Sequence, residues 1–397
     1  WNDDLQDALI DEFGEGQGMV LYHRYAEGIP ASYKDSFSAR LAVADIERME
    51  KMGEGINMNL YRRVDAEEGM LNFKIYHGGN PVPLSSIMPM LEHMGLVVIE
   101  ETPFEIRLDD GEIVWIHDFH VNLEFDWEVD VSEARQRFHE TFARVWSGEI
   151  EDDDFNDLVL AGLDWRQVVV LRAYAKYMTQ ANAPFSQTYV EQTLAANPVI
   201  ARLLVELFMI RFDPDNRADV EGRSAAVQER IAAALDEVAS LDQDRILRRY
   251  LNLIEASLRT NFFQTGEDGG PKSYVSFKFD STTIEGLPEP RPWREIFVYS
   301  SRVEAVHLRG GPVARGGIRW SDRREDFRTE VLGLVKAQMV KNAVIVPVGS
   351  KGGFVVKKPP TEGGREAFQA EGIACYQTFM AGMLDITDNI VGDEVVQ

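Results

Sequence analysis

The spacing of apolar and polar residues divides the chain into stretches with different periods. Between about residues 45 and 124 the two kinds tend to alternate, as they do in a strand with one buried face. Asp109-Asp110-Gly111 is a strong turn signal between two such runs. The pattern predicts paired strands over Asn59–Val64 and Leu71–Tyr76, a helix over Leu84–Met94, and a hairpin of Leu96–Leu108 with Glu112–Leu123.

On both sides of this stretch, apolar residues recur every three or four positions, which is typical of amphipathic helices. The N-terminal region contains two such segments, Asp3–Phe13 and Met19–Glu27. From about Ser132 to Phe263 nearly every segment has helical spacing. The predicted elements are a stripe of Phe138, Phe142, Val145 and Trp146, helices over Asp164–Met178 and Val199–Phe212, and a hairpin of Arg217–Ala239 with Gln243–Asn261 whose seam is Leu247, Leu251, Ile254 and Leu258.

A third pattern follows the glycine-rich linker Gly266–Pro271. Strand-like runs at Tyr274–Phe279, Glu295–Ser300 and Val303–Leu308 precede a helix over about Arg365–Asp385. We therefore expect a multidomain chain of the α+β and α/β classes, ending in an α/β domain with a mixed sheet. The predicted domains are a helical segment at 1–44, a ferredoxin-like or ACT-like sandwich at 45–128, a helical domain at 129–265 and the α/β domain at 266–397.

Composition narrows the class of protein. The 397 residues carry a net charge of −25, which disfavours general nucleic-acid binding because phosphates would be repelled. No apolar run reaches about 18 residues, so no membrane-spanning helix is predicted. The single cysteine, Cys375, excludes an internal disulfide and fits a reducing cytoplasm. Trp1 is not a natural initiator, and we expect the sequence to be part of a longer chain.

Three motifs resemble ligand-binding sites, but the sequence around each one does not fit such a site. Gly14–Gly18 is glycine-rich, but no strand precedes it, so we interpret it as a turn between helices. The run Glu151–Asp154 lacks the alternate spacing of calcium loops and is better explained as the acidic start of a helix. His117 and His120 are three apart on a predicted strand, so their side chains point to opposite faces. No metal site is predicted.

The densest candidate chemistry lies between Gly310 and Lys358. Two glycine clusters flank a helical segment there, and cations lie beside or between them. Glycine permits the close approach of a ligand, and cations without a local acid partner suit carboxylates. The pattern favours a pocket for a small dicarboxylate. Its glycines are Gly310, Gly311, Gly316, Gly317, Gly349, Gly352 and Gly353, and its cations are Arg315, Arg319, Lys336, Lys341 and Lys351.

Lys351 is the candidate reactive group of this pocket. We expect a helix to end near Asn342, an apolar strand to run to Val346, and a glycine turn after Pro347 to present the lysine. Apolar walls and nearby cations favour the neutral amine, so Lys351 suits a general base, and a Schiff-base nucleophile is the other role open to it. Surface charges on loops are the alternative to a site. A phosphate loop is disfavoured because GxxxxGK[ST] is absent.

The stretch resembles the substrate-binding segment of glutamate dehydrogenases. Arg315-Gly316-Gly317-Ile318-Arg319 looks like that family's Lys-Gly-Gly-hydrophobic-Arg motif, and Gly349-Ser350-Lys351-Gly352-Gly353 looks like its Gly-x-Lys-Gly-Gly signature. The rest of the chain is similar to the large-subunit, NAD-specific bacterial enzymes, which carry N-terminal extensions with ACT-like and helical segments. Residues 266–397 would then be the substrate-binding domain, with the catalytic region incomplete.

The resemblance implies a role for each matched residue. Lys351 would be the catalytic lysine that activates water, Lys341 would bind the substrate α-carboxylate, and Arg315 would bind the side-chain carboxylate. The implied reaction is the reversible oxidative deamination of L-glutamate to 2-oxoglutarate and ammonia in a cytoplasmic homo-oligomer, with hydride passing to NAD. The substrate-binding glycines would be Gly316, Gly317, Gly349 and Gly352.

Departures from the family pattern set limits on this expectation. Arg315 stands where the small hexameric enzymes have lysine, and the interval from Lys341 to Lys351 is shorter than theirs. The proton-shuttling aspartate and the NAD-binding domain would lie downstream. Residues 1–397 alone are therefore expected not to catalyse the reaction. The alternative function is a non-catalytic module, in which the ACT-like region senses an amino acid and the helical region builds an oligomer.

Overall fold

The computed structural model describes residues 1–52, 55–63, 69–124, 130–341, 348–392 and 394–396, and the side chains of residues 339–341, 389–390 and 395–396 are outside that description. The chain forms two compact units, one of Trp1–Ser147 with Asp152–Trp165 and one of Gly148–Glu151 with Arg166–Gln397. These units divide the helices of the predicted domain 129–265 between them. The domain boundaries at 44, 128 and 265 stay a prediction.

The first unit is an antiparallel four-stranded sheet with helices on both faces. The strand order is β1-β2-β4-β3, and β3 and β4 form the predicted hairpin, whose turn uses Gly111 at φ 87°. The predicted break in the first helix is also confirmed, because Gly14 has non-helical φ 82° and ψ 162°. The elements are α1 (Asn2–Tyr25), α2 (Ala31–Ser36), α3 (Ala39–Glu50), β1 (Ile56–Tyr61), β2 (Met70–Gly78), α4 (Leu84–Glu92), β3 (Leu96–Arg107), β4 (Ile113–Leu123) and α5 (Val131–Trp146), followed by a 3-10 helix at Asp154–Val159.

Two layers of apolar side chains cover this sheet. On one face, Tyr76 and Ile116 of the sheet belong to a buried cluster with Ile46 of α3. On the other face, the rings of Phe138 and Phe142 in α5 lie 5.3 and 5.1 Å from the ring of Phe73. The predicted apolar stripe of α5 is therefore confirmed.

A buried carboxylate ties α2 and α3 to the sheet. Asp45 of α3 lies 2.6 Å from Nζ of Lys74 and accepts a hydrogen bond of 2.6 Å from the hydroxyl of Tyr76. The hydroxyl of Tyr33 in α2 also donates to it. A buried charge is tolerated when it is paired and hydrogen-bonded, so this cluster stabilises the packing of α2 and α3 on β2.

We expect His139 to make the stability of the first unit depend on pH. Its Nε2 accepts a hydrogen bond of 2.9 Å from the backbone N–H of Leu60. Burial, followed by the charges of Arg48 and Arg135, lowers the pKa of His139 to about 4 from 6.5. The unfolded chain therefore binds a proton first as the pH falls. The neutral ring's contribution to the free energy of unfolding is fully present above pH 6.5. It decreases as the pH falls from 6.5 to about 4, by up to ~3 kcal/mol in total.

Chemical unfolding at a series of pH values checks this expectation. His139→Gln removes the titrating ring and should flatten the loss of unfolding free energy between pH 6.5 and pH 4 relative to the native protein. Equal losses in the two proteins would assign the pH dependence to other groups.

The second unit is built on a seven-stranded mixed sheet. Its order is β10-β11-β8-β7-β6-β5, β9 also pairs with β11, and both β9 and β10 run parallel to β11 while the other pairs are antiparallel. The elements are α6 (Trp165–Gln180), α7 (Gln187–Ala196), α8 (Pro198–Phe212), α9 (Val220–Leu235), α10 (Leu241–Ala256), β5 (Ser257–Thr260), β6 (Val275–Phe279), β7 (Arg294–Tyr299), β8 (Val303–Arg309), β9 (Ala314–Arg315), β10 (Ile318–Trp320), α11 (Phe327–Lys341), β11 (Val348–Val356), α12 (Gly364–Asp385), β12 (Asn389–Val391) and β13 (Glu394–Val396).

The structure confirms the expected mixed sheet, with its strands β6 to β8, and the helix α12. The prediction of a helical hairpin formed by Arg217–Ala239 and Gln243–Asn261 is wrong. α9 packs against α8, and α10 ends at Ala256. Ser257–Thr260 is an edge strand that pairs with β6, which leaves Leu258 43% exposed. Pairing with an existing strand satisfies the backbone of this short segment, and tertiary context of this kind overrides a helical period.

The two faces of the large sheet are covered by different helices. Tyr174 and Tyr177 of α6 pack on one face, with ring centres 4.7 Å from Phe277 and 4.5 Å from Phe279. α11 lies on that same face, and α12 covers the other through Phe379 and its apolar neighbours. Within the described residues no single helix is long and apolar enough to cross a bilayer, and α7 with α8 meets that test only as a pair bent by 97°.

Candidate functional site

Lys351 lies in the middle of β11. Leu308 of β8 is opposite Lys351 on one side, and β9 and β10 pair with β11 on the other. The expectation that a glycine turn presents Lys351 is wrong, because partners on both sides keep this segment extended. The other half of that expectation, an apolar strand ended by Pro347, falls on residues 342–347 and lies outside the described residues.

The glycines of the site let strands and a helix approach each other closely. A Cβ on Gly316 would lie 1.4 Å from the backbone oxygen of Ser350. A Cβ on Gly349 would lie 2.8 Å from Cβ of Gln338, and one on Gly353 would lie 2.5 Å from a methyl carbon of Val331. Side chains at these positions would push β9 or α11 away from β11, so the glycines set the shape of the site.

The side chain of Lys351 points to the face that α11 covers. Gly349 and Gly353, two residues away in each direction, contact α11 on this face, and side chains alternate along a strand. The half-buried Lys351 extends toward the neighbouring strand, where its Nζ lies 3.6 Å from the position that a Cβ on Gly317 would occupy. The amine therefore lies over a residue without a side chain, flanked two positions away by Arg315 and Arg319.

The cations around Lys351 differ in their partners. Arg319 forms an ion pair of 2.5 Å with Glu330 of α11, so the expectation that these cations lack acid partners is wrong for Arg319. In the part of the chain that the structure describes, neither Arg315 nor Lys351 has an acid partner. Arg315 is exposed and lies opposite Gly349. Lys341 is the last residue of α11, and its side chain lies outside the described residues.

Gln338 is a residue of this site that the sequence patterns did not single out. It is half-buried on α11, beside Gly349. Its side-chain oxygen is buried, and among the described residues it has no hydrogen-bond partner. Gln338 and Lys341 are three residues apart and so share one side of the helix. That spacing is the signal that could have identified the glutamine.

The surroundings of the site add little further charge. His307 lies across the sheet from Gly352, and burial, followed by the charge of Arg309, lowers its pKa to about 4, so it is neutral near pH 7. Across the described ranges, no group of three His, Cys, Asp or Glu could hold a metal ion. The arrangement consists of one amine, one guanidinium without an acid partner and one amide, which suits a small ligand with carboxylates.

We expect Gly316→Ala to damage the site severely. The new Cβ cannot fit beside Ser350, so β9 must separate from β11 and carry Arg315 with it. A misplacement of about 1 Å can cost 10²-fold in rate, so any reaction that the full-length protein carries out at this site should slow by about that factor or more. Gly333→Ala, on α11 with open space around it, is the matched control and should stay close to the native value.

The fold defines a class of multidomain proteins with a four-stranded antiparallel sheet, a helical region and a mixed-sheet α/β domain that carries a glycine-rich, lysine-bearing strand. Comparisons with known families identify the class further. The bacterial NAD-glutamate dehydrogenase catalytic domain matches residues 230–397, and the glutamate dehydrogenase ACT3 domain matches residues 55–134. Helical motifs 2 and 3 of glutamate dehydrogenase match residues 8–52 and 150–214. The chain therefore carries domains of the bacterial NAD-specific glutamate dehydrogenase family, namely its catalytic domain, two helical motifs and an ACT domain.

Curated relatives agree with the family matches. The NAD-specific glutamate dehydrogenase of Halomonas elongata is 52% identical over 399 residues, and that of Pseudomonas aeruginosa is 48% identical over 402 residues, each covering 100% of this chain. The Mycobacterium tuberculosis protein of the same name is 45% identical over 403 residues and covers 98%. The chain spans 25% of the length of each of these relatives.

Proposed function

We propose that this chain supplies the substrate side of an NAD-dependent glutamate dehydrogenase, which interconverts L-glutamate with 2-oxoglutarate and ammonia. The observation that carries the proposal is the amine of Lys351, which lies over Gly317 with Arg315 two residues away. A ligand with two carboxylates fits such a group of cations.

The proposed roles combine those that the family resemblance implies with the positions of the described side chains. Arg315 binds the side-chain carboxylate, for which its forked guanidinium is suited. Lys341 binds the α-carboxylate, and the amide of Gln338, one helical turn before it, adds a hydrogen bond to that group. Gly316 lets β9 lie close to β11, Gly349 lets α11 approach, and Gly317 leaves room for the amine of Lys351. Gly352 faces the other side of the sheet, where Phe379 of α12 approaches it.

Lys351 acts as the general base. Its neutral amine takes a proton from a water molecule, and the resulting hydroxide attacks the iminium carbon of the oxidised substrate. General-base catalysis of this kind contributes about 10²–10⁴-fold. NAD accepts the hydride when it is bound, and we assign its binding to a part of the full-length protein outside these 397 residues.

The proposal includes a homo-oligomer in the cytoplasm. Residues 372–384 of α12 contain no charged residue, although the chain carries −25 overall. Ile373, Tyr376 and Leu384 on this helix are 52%, 41% and 67% exposed. Two copies of an acidic chain can meet at such a face without bringing carboxylates together. A full-length protein that has the mass of one chain at every working concentration would contradict this part.

Steady-state kinetics of the full-length protein tests the function. Purified enzyme should reduce NAD in the presence of L-glutamate, and 2-oxoglutarate with ammonium should oxidise NADH. An amino acid of the same length without the side-chain carboxylate, such as norvaline, should be a poor substrate because Arg315 then has no partner. Equal turnover of the two amino acids would contradict the proposed contact.

A further inference from the structure

Glu330 joins α11 to the strand that flanks Lys351. Its side chain is 13% exposed, and its Oε1 lies 2.5 Å from Nε of Arg319 in β10. Its Oε2 accepts a hydrogen bond of 2.5 Å from the hydroxyl of Ser321, the residue after β10. Each carboxylate oxygen thus has its own partner, and the two contacts hold the end of β10 against the helix.

Arg319 and Lys351 are close neighbours on one face of the sheet. Arg319 lies opposite Gly353 in the parallel pairing of β10 with β11, and Lys351 is two residues before Gly353. The two side chains therefore point the same way and are diagonal neighbours, about 8 Å apart at their backbones. The Nζ of Lys351 lies beside Gly317, which is two residues before Arg319 in the chain.

We propose that Glu330 is a positioning residue that acts on Lys351 through Arg319. By pairing with Arg319, Glu330 neutralises that guanidinium and leaves Arg315 as the guanidinium that meets the substrate. The inference rests on the proposed function, because it takes Lys351 as the base. Without Glu330, a second guanidinium would compete for the substrate carboxylate, and its charge would act on the amine directly.

The charged groups that face the amine are few. Arg315 and Arg319 flank Gly317 on the neighbouring chain segment, and Leu308 on β8 carries no charge. From α11, Glu330 forms the ion pair with Arg319, and Lys336 is exposed. Lys341 is also on α11, with its side chain outside the described residues. Glu295, in the same row as Lys351 on β7, forms its own buried ion pair with Arg328 of α11. Among the described groups, Glu330 is therefore the acid that balances the charge of Arg319.

The pH dependence of kcat/KM for L-glutamate in the full-length enzyme tests this role. Glu330→Gln keeps the shape of the side chain but leaves Arg319 unpaired. The unpaired positive charge then disfavours a second positive charge on the amine of Lys351. The rising limb of the profile should therefore move to lower pH by roughly one unit. Glu330→Gln with Arg319→Gln removes both charges and should return the limb toward its native position. Glu366→Gln, at an exposed first-turn position of α12, is the control and should leave it unmoved.

Each outcome decides the proposal. The proposal is overturned if the rising limb of the pH profile does not move in a folded Glu330→Gln enzyme. It is also overturned if the limb of the double variant stays displaced from its native position. If Glu330→Gln does not fold, Arg319→Gln alone leaves the carboxylate unpaired and should move the limb to higher pH, and no movement would overturn the proposal. A native profile that survives Lys351→Met would sink the proposed function itself, whereas an inactive Lys351→Met enzyme with an unmoved Glu330→Gln limb would sink only this inference.

Discussion

Lys351→Met should reduce kcat/KM of the full-length enzyme for L-glutamate by about 10²–10⁴-fold, because it removes the amine that we propose as the base. Methionine has a similar length, fits the half-buried path over Gly317 and has no proton-accepting amine. The fold should therefore survive the change. Steady-state rates of NAD reduction, together with the thermal midpoint of the variant, separate lost chemistry from lost structure.

Lys336→Met is the matched control for that experiment. The sequence pattern placed Lys336 among the cations of the pocket, but the structure leaves it exposed on α11, without an ion pair to any residue that the structure describes. Its removal should leave kcat/KM within about twofold, as expected for a surface substitution. If the two variants retain similar activity, the assignment of Lys351 as the base is wrong.

Arg328→Met should lower the free energy of unfolding of the second unit by about 3–5 kcal/mol, because it leaves a buried carboxylate without its partner. Arg328 and Glu295 are both fully buried and form an ion pair, with Nε of Arg328 2.9 Å from the carboxylate. The hydroxyl of Tyr177 donates to the same oxygen at 2.8 Å. Urea titration monitored by hydrogen exchange of the β7 and β8 amides measures the loss in this unit.

Two further variants give that loss its interpretation. Arg230→Met breaks an exposed pair with Glu206 in the same unit and should cost less than about 1 kcal/mol. Arg328→Met with Glu295→Leu removes both buried charges and should recover much of the stability, because apolar replacements of buried pairs are often neutral. If Arg328→Met and Arg230→Met lower the free energy of unfolding by equal amounts, burial does not determine the cost of breaking an ion pair in this unit.

This buried pair also bears on the site. Glu295, Leu308 and Lys351 lie opposite one another on β7, β8 and β11, so they share one row and one face of the sheet. Arg328 is the second residue of α11, and its bond to Glu295 fixes the start of that helix over this row. The position of α11, and therefore of Gln338, depends on the pair.

The sequence was sufficient to predict much of the framework. The alternating runs that became β3, β4, β7 and β8 are long enough to show their period, and α12 shows its helical spacing. The glycine and cation motifs selected residues that the structure brings together on β9, β10, α11 and β11, and their role as a site stays a prediction. The four family domains matched along the chain agree with the predicted order of an ACT-like region, a helical region and an α/β region.

The missed features have physical causes. β9 and β10 contain two and three residues, too few to show any period, so nothing predicted that they would flank β11 and keep Lys351 in a strand. Glu330 is distant in sequence from Arg319, and spacing along the chain does not reveal a partner on another element. Ser257–Thr260 follows helical spacing but takes its structure from β6.

Chemical modification of the full-length enzyme with an amine-reactive reagent, read by mass spectrometry, tests the central claim most directly. If the amine of Lys351 faces the bound substrate, saturating 2-oxoglutarate should protect Lys351 from modification. The exposed Lys336 should react equally with and without the ligand. Modification of Lys351 that is the same in the presence and absence of 2-oxoglutarate would contradict the account.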